Sequence, residues 1–167
     1  MARRVFFSFH YQNDLWRVNQ VRNSHIVEGT AAAGFQDASL WEEAKLKGDA
    51  AIKKLIDDGL YGTTVTAVLI GAETANRKYV QYEIEKSIAR GNGLLGIYIH
   101  NLKDQYSRTS FQGQIPGGLV KYGASIYHWD RNYFGRWVEL AALEASQRRP
   151  SPAAQYFNSL FKSNRTY

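Results

Sequence analysis

The run Asn76-Arg77-Lys78-Tyr79-Val80-Gln81-Tyr82-Glu83-Ile84-Glu85-Lys86-Ser87-Ile88 holds the residues best placed for chemistry. Val80, Ile84 and Ile88 recur every four residues, which predicts the core-facing stripe of a helix with Glu83 and Glu85 on its flanks. Two residues along a helix turn side chains by about 200°, so the two acids face different ways. The Glu83 flank also carries Asn76, Tyr79 and Ser87, a polar and aromatic face suited to a pocket, whereas Lys78 and Gln81 beside Glu85 suit solvent. Breaking a C–N glycosidic bond develops positive charge at the ribose carbon. A carboxylate under that ring can stabilise the cation and grip the ribose hydroxyls. Aromatic walls such as Phe9, Trp41 and Tyr79 would exclude water and stack on flat rings. Ordinary surface pairing of both acids with Arg and Lys accounts for the spacing equally well at this point.

Other chemistries lack their residues. No GxxxxGK[ST] or GxGxxG run follows an expected strand, and no G-x-S-x-G elbow exists. The chain has no cysteine, which excludes disulfides, thiol nucleophiles and cysteine-ligated metals and suits a reducing cytosol. His10, His25, His100 and His128 are scattered without metal-ligand spacing, although His10 follows the first expected strand and would point towards a crevice. A phosphorelay receiver would want clustered acids where Phe9-His10-Tyr11 stands, and a flavin site would want a phosphate loop there.

The elements that must position these residues alternate. Arg4–Phe9 reads as a first strand, followed by a helix with Leu15, Val18 and Val21 on one face and Asp14 as N-cap or first-turn acid. Gly34–Ser39 fits a brief second strand. A long helix is expected from Trp41 to Leu60, a third strand over Thr64–Ile70, the Glu83 helix closing at Gly91, and a fourth strand over Leu94–Ile99. Asn101–Gly123 reads as one long loop, Ala124–Trp129 as a fifth strand and Tyr133–Ser146 as a helix. Tyr156, Phe157, Leu160 and Phe161 suggest a short helix packed on the body. The expected fold is α/β, a three-layer sandwich around a five-stranded parallel sheet in the order 2-1-3-4-5. Its ligand crevice would lie beyond the strand tips where the order reverses, gathering Ser8–Tyr11, Asp37–Trp41 and Gly71–Asn76.

A length of 167 residues suits one domain, here 1–167 with 149–167 as a C-terminal extension. No apolar run approaches the ~20 residues of a membrane span, and the N-terminal Met1-Ala2-Arg3-Arg4 leads straight into Val5, so neither a membrane segment nor a secretory signal is expected. Of the net charge of +6, most lies in residues 131–167, where six Arg and Lys face only Glu139 and Glu144. This fits a solvated basic tail, or one attracted to phosphate-bearing partners, rather than a nucleic-acid site with an aromatic signature.

Four separated motifs together resemble the TIR-like proteins of bacterial Thoeris antiphage defence. They are Arg3–Tyr11, Asp37-Ala38-Ser39-Leu40-Trp41-Glu42, Val68-Leu69-Ile70-Gly71, and Asn76–Ile84 with Gly91-Asn92. The resemblance spans roughly residues 3–100 and implies a flavodoxin-like, TIR-like fold. It implies a cytoplasmic enzyme that consumes NAD as substrate, with no further cofactor or metal. Nicotinamide would be released and a cyclic or otherwise modified ADP-ribose signal made, which switches on a separate effector. It also implies self-association on activation and a phage-derived trigger. The catalytic glutamate of such enzymes closes a W-x-x-x-E pattern, matched here by Tyr79-Val80-Gln81-Tyr82-Glu83, with Tyr79 standing for Trp. Glu83 inherits the catalytic role, with Phe9, His10, Asp37, Ser39, Trp41, Asn76 and Tyr79 around the dinucleotide. TIR-type domains also serve as adaptors, so a non-catalytic interaction or sensor module is the alternative.

Overall fold

The computed structural model describes residues 3–24 and 38–148. The order of elements is β1 (Val5–Ser8), α1 (Tyr11–Arg22), α2 (Ala38–Lys47), α3 (Asp49–Leu60), β2 (Val65–Ile70), α4 (Lys78–Arg90), β3 (Gly93–Tyr98), α5 (Gly117–Tyr122), β4 (Ser125–His128) and α6 (Phe134–Arg148). A single 3₁₀ turn, Thr74–Asn76, precedes α4. All pairings are parallel, with Val5 opposite Val65, Val65 opposite Gly93 and Leu95 opposite Ser125.

The sheet has four strands in the order β1-β2-β3-β4, which corrects the expected five-stranded order 2-1-3-4-5. The strands expected first, third, fourth and fifth are those observed. Of the segment expected as the second, residues 34–37 lie outside the described residues, while Ala38 and Ser39 open helix α2. Helix is what this segment favours locally, because Lys45 pairs with Glu42 and Lys47 with Glu43 one turn apart. No reversal of strand order therefore occurs among the described strands. The crevice arises instead because β1 feeds α1 on one face of the sheet while β2 feeds α4 on the other.

Alternation along the strands divides the core. Val5 and Phe7 of β1, with Ala67, Leu69, Leu95 and Ile97, pack against Val18 and Val21 of α1 and Phe134, Val138 and Ala141 of α6. On the opposite face, Val68, Ile70 and Leu94 meet Val80 and Ile84 of α4, and Phe6 meets Ile52, Ile56 and Leu60 of α3. β2 is buried at all six positions, as its unbroken apolar and β-branched run requires.

Three further expectations are corrected. The long helix Trp41–Leu60 is two helices, because Gly48 takes φ +105°, a conformation that ends α2 and lets α3 leave in a new direction. The loop Asn101–Gly123 contains helix α5, capped by Gly123 in the left-handed region. On α4 the stripe is Val80, Glu83, Ile84 and Ser87, and Ile88 is 42% exposed. Ser87 replaces it against the sheet. Its hydroxyl donates to the Glu83 carbonyl at 2.6 Å and lies 2.7 Å from Thr66 Oγ1, which also accepts from Asn92 Nδ2 at 3.3 Å. The expected C-terminal helix and the extension 149–167 lie outside the described residues. No helix among the described residues is long and apolar enough to cross a membrane.

Candidate active site

β1 ends at Ser8, and the chain turns at Phe9 and His10 into α1. The His10 ring caps that helix, its Nδ1 accepting from the Asn13 backbone N–H at 3.4 Å. Asp14, expected as a cap or first-turn acid, lies in the first turn. Opposite this tip stand Trp41 of α2, Asp49 of α3, and the start of α4. Between them opens a cavity of about 320 Å³, lined among others by Phe9, His10, Trp41, Arg77, Tyr79 and Glu83.

Rings from three elements form its wall. Tyr11 stacks on Trp41 with centroids 5.3 Å apart, and Trp41 meets Tyr79 edge-on at 6.0 Å. Tyr79 is held in place by its hydroxyl, which donates to Asp49 at 2.9 Å, while Lys78 reaches the same carboxylate at 2.6 Å. The Lys78 contact, with those of Lys53 and Tyr79, holds the Asp49 carboxyl well below the usual range.

Glu83 is 6% exposed. Its Oε2 accepts a hydrogen bond from the Ser8 hydroxyl, and no cation pairs with it among the described residues. Burial pushes its carboxyl up to about 8, against the opposing effect of the Ser8 hydrogen bond. A carboxyl raised by burial in a cleft is the environment in which such groups perform acid, base or charge-stabilising work. His10 is pushed below its ordinary value, first by burial and then by the nearby charge of Arg77, so it is neutral at pH 7.

Four of the residues singled out in the sequence beside Glu83 therefore meet in one cavity: Phe9, His10, Trp41 and Tyr79. Ser39 sits exposed on the first turn of α2 and does not line it. Asn76 is exposed in the 3₁₀ turn and borders a separate hollow with Glu73 and Phe111. Asp37 lies outside the described residues. Ser87, read as part of the pocket face, is buried under the helix instead. Glu85 is exposed. Sequence reasoning missed Ser8 as the partner of Glu83. The signal for it was the two-residue period of β1, which places Ser8 on the same face as Phe6, towards α4. No group of three or more His, Asp or Glu among the described residues could hold a metal ion.

Beside the cavity, Arg17 of α1 closes on the connection after β3. Its Nε donates to the Leu102 carbonyl at 2.8 Å, and its Nη2 donates to the Arg108 carbonyl at 3.0 Å. Its Nη1 donates to the buried Asp14 carboxylate at 3.3 Å. Asp14 packs directly on Gly71, just after β2, where a Cβ would come within 2.1 Å of its Oδ2, so any larger residue there would displace the buried carboxylate. Burial raises the Asp14 carboxyl to about 6, despite the guanidinium.

The family model described as Thoeris protein ThsB, TIR-like domain, matches residues 6–104, a span that contains the cavity's tip, walls and carboxyl. A Bacillus cereus (strain MSX-D12) protein, ThsB1, whose name makes it a candidate cyclic ADP-D-ribose synthase, is 43% identical over 176 aligned residues, covering 100% of this chain and 92% of that protein. With a buried glutamate beneath an aromatic wall inside the matched span, the chain belongs to the ThsB family of TIR-like Thoeris proteins.

Proposed function

We propose that this protein cleaves NAD at the bond between nicotinamide and ribose and converts the remainder into a cyclic ADP-ribose signal, with Glu83 as the catalytic carboxylate. The single observation that carries this reading is the Glu83 carboxyl, buried in an aromatic-walled cavity with no cation beside it among the described residues. The name of the B. cereus relative supports the product class.

The chemistry follows from the charges. In NAD the nicotinamide ring is cationic, and cleavage of the C–N bond sends the bonding electron pair to the ring, which leaves neutral. The ribose carbon is left with oxocarbenium character, and ionised Glu83 stabilises it and holds the ribose hydroxyls. An oxygen or ring nitrogen of the adenosine half then attacks the ribose carbon to close the ring, whereas attack by water gives linear ADP-ribose. At about 320 Å³ the cavity lies near the lower end of small-molecule sites, roughly 300–1,000 Å³, so it suits the nicotinamide riboside end with the remainder over its mouth. Tyr79 and Trp41 face the flat ring.

Burial favours the neutral carboxyl, and a cationic nicotinamide ring beside Glu83 favours the ionised form that the reaction uses. Phe9 and His10 border the ribose. Asp37, Ser39 and Asn76 are proposed at the outer part of the dinucleotide, reached when the site is completed by self-association, with 1–167 forming a single domain in each copy. The product, rather than direct contact, would reach the effector, and a phage component would be the trigger.

The test is mass spectrometry of NAD incubated with concentrated wild-type protein and with Glu83→Gln. Wild type should release nicotinamide and give a species one water lighter than ADP-ribose, and the variant should give neither. Equal release by both would remove Glu83 from the mechanism.

A further inference from the structure

Ser8 is the last residue of β1 and is fully buried. Its position is set by the sheet, since it pairs in register with Val68 of the inner strand β2. Its hydroxyl reaches one atom of the candidate site, Oε2 of Glu83. The second carboxyl oxygen, Oε1, makes no hydrogen bond among the described residues, and Glu83 lines the cavity. One oxygen is thus anchored and the other is open to a ligand.

We propose that Ser8 is a positioning residue for Glu83: its hydroxyl pins Oε2 beneath the end of β1 and so presents Oε1 to the cavity in one orientation. The proposal rests on the reading of Glu83 given above. A glutamate has three rotatable side-chain bonds, and a carboxyl held by nothing would distribute over several rotamers. Among the described residues no cation competes for it, so the serine supplies the specific restraint, and strand pairing fixes the serine. The hydrogen bond strengthens when the carboxyl ionises, because a charged acceptor binds an O–H donor more tightly than a neutral one. The same contact therefore favours the ionised form that the reaction uses, and does so without a positive charge that would compete with the developing cation.

Ser8→Ala and Ser8→Thr in the full chain separate positioning from packing. Nicotinamide release should lose about tenfold or more in kcat for Ser8→Ala, as expected for a hydrogen bond to a charged group, with KM for NAD little changed. The acidic limb of its pH profile should move to higher pH, because the lost donor had favoured the carboxylate. Ser8→Thr, which keeps the hydroxyl, should restore both. A wild-type profile and kcat in Ser8→Ala, or equal losses in both variants, would overturn the proposal. Independently of turnover, carbon-13 NMR of carboxyl-labelled glutamate, with the Glu83 resonance assigned by Glu83→Gln, should show that carboxyl titrating higher in Ser8→Ala than in wild type. An unchanged titration refutes the anchor. Should wild type leave NAD intact, the catalytic reading fails while the titration still decides the role of Ser8. If Ser8→Ala does not fold, Ser8→Cys, with its weak donor, takes its place in both measurements with the same expected directions.

Discussion

Glu83→Gln should make the protein more stable, and by an amount that grows with pH. The glutamate carboxyl ordinarily titrates at 4.5, and burial raises it here to about 8. Between those values the folded chain holds a proton that the unfolded chain has released. Stability therefore falls as pH rises through this window, and it has its full value only below about 4.5. At about 1.4 kcal/mol per pH unit, the ~3 units between 4.5 and pH 7.5 set an upper limit of about 4 kcal/mol on what this side chain costs the fold near neutrality. That is a large fraction of the roughly 5–15 kcal/mol that holds a domain together. Glutamine keeps the shape, has no charge to desolvate, and its amide oxygen can accept from Ser8. For a domain of this size, with about 2–4 °C per kcal/mol, its melting temperature at pH 7.5 should exceed that of wild type by up to ~8–16 °C, the gap closing below pH 4.5. Asp14, raised by burial to about 6, destabilises both proteins alike over its own window and drops out of the difference. Thermal melts of the two proteins from pH 4 to 9 check this. A gap that does not change with pH, or a wild type that gains on the variant as pH rises, would refute the reasoning.

Two other substitutions probe the walls and the frame. Trp41→Ala removes the ring that joins Tyr11 to Tyr79, and it should raise KM for NAD by about tenfold through lost stacking and admitted water, read from initial rates of nicotinamide release. Gly48→Ala forces a Cβ into a φ of +105° although no atom lies within 4 Å, so backbone strain alone should lower stability by about 1–2 kcal/mol in urea unfolding.

The parts of the fold legible in the sequence are those that obey hydropathy alone. Val65–Ile70 is apolar or β-branched throughout because helices cover both its faces, and Leu15, Val18 and Val21 keep helical spacing because α1 packs one face on the sheet. Where polar groups are buried, the periodicity misleads. Ser87 occupies a core position because Thr66 and the Glu83 carbonyl satisfy its hydroxyl, and Ile88 is displaced outward as a result. A single glycine between two helix-prone segments does not declare whether it will bend the chain, so the break at Gly48 was not visible. The expected second strand rested on six residues, too few for a two-residue period to outweigh the helix that begins at Ala38. In the site, Glu83 and its aromatic neighbours were legible because a patterned helix and a strand tip imply where they point. Asn76 was not, because it belongs to a 3₁₀ turn whose side chains do not continue the face of α4. Its helical interval from Tyr79 and Glu83 therefore had no structural meaning.

The clasp of Arg17 on the connection after β3 has a mechanical consequence. α1 is a stiff rod of 12 residues, about 18 Å long, with His10 at its tip against the cavity and Arg17 farther along the rod, clamped to Leu102 and Arg108. A shift of α1 as a rigid unit would carry with it both His10 and the Leu102 and Arg108 carbonyls that Arg17 clasps. Whatever grips that outer segment holds a handle on the chamber.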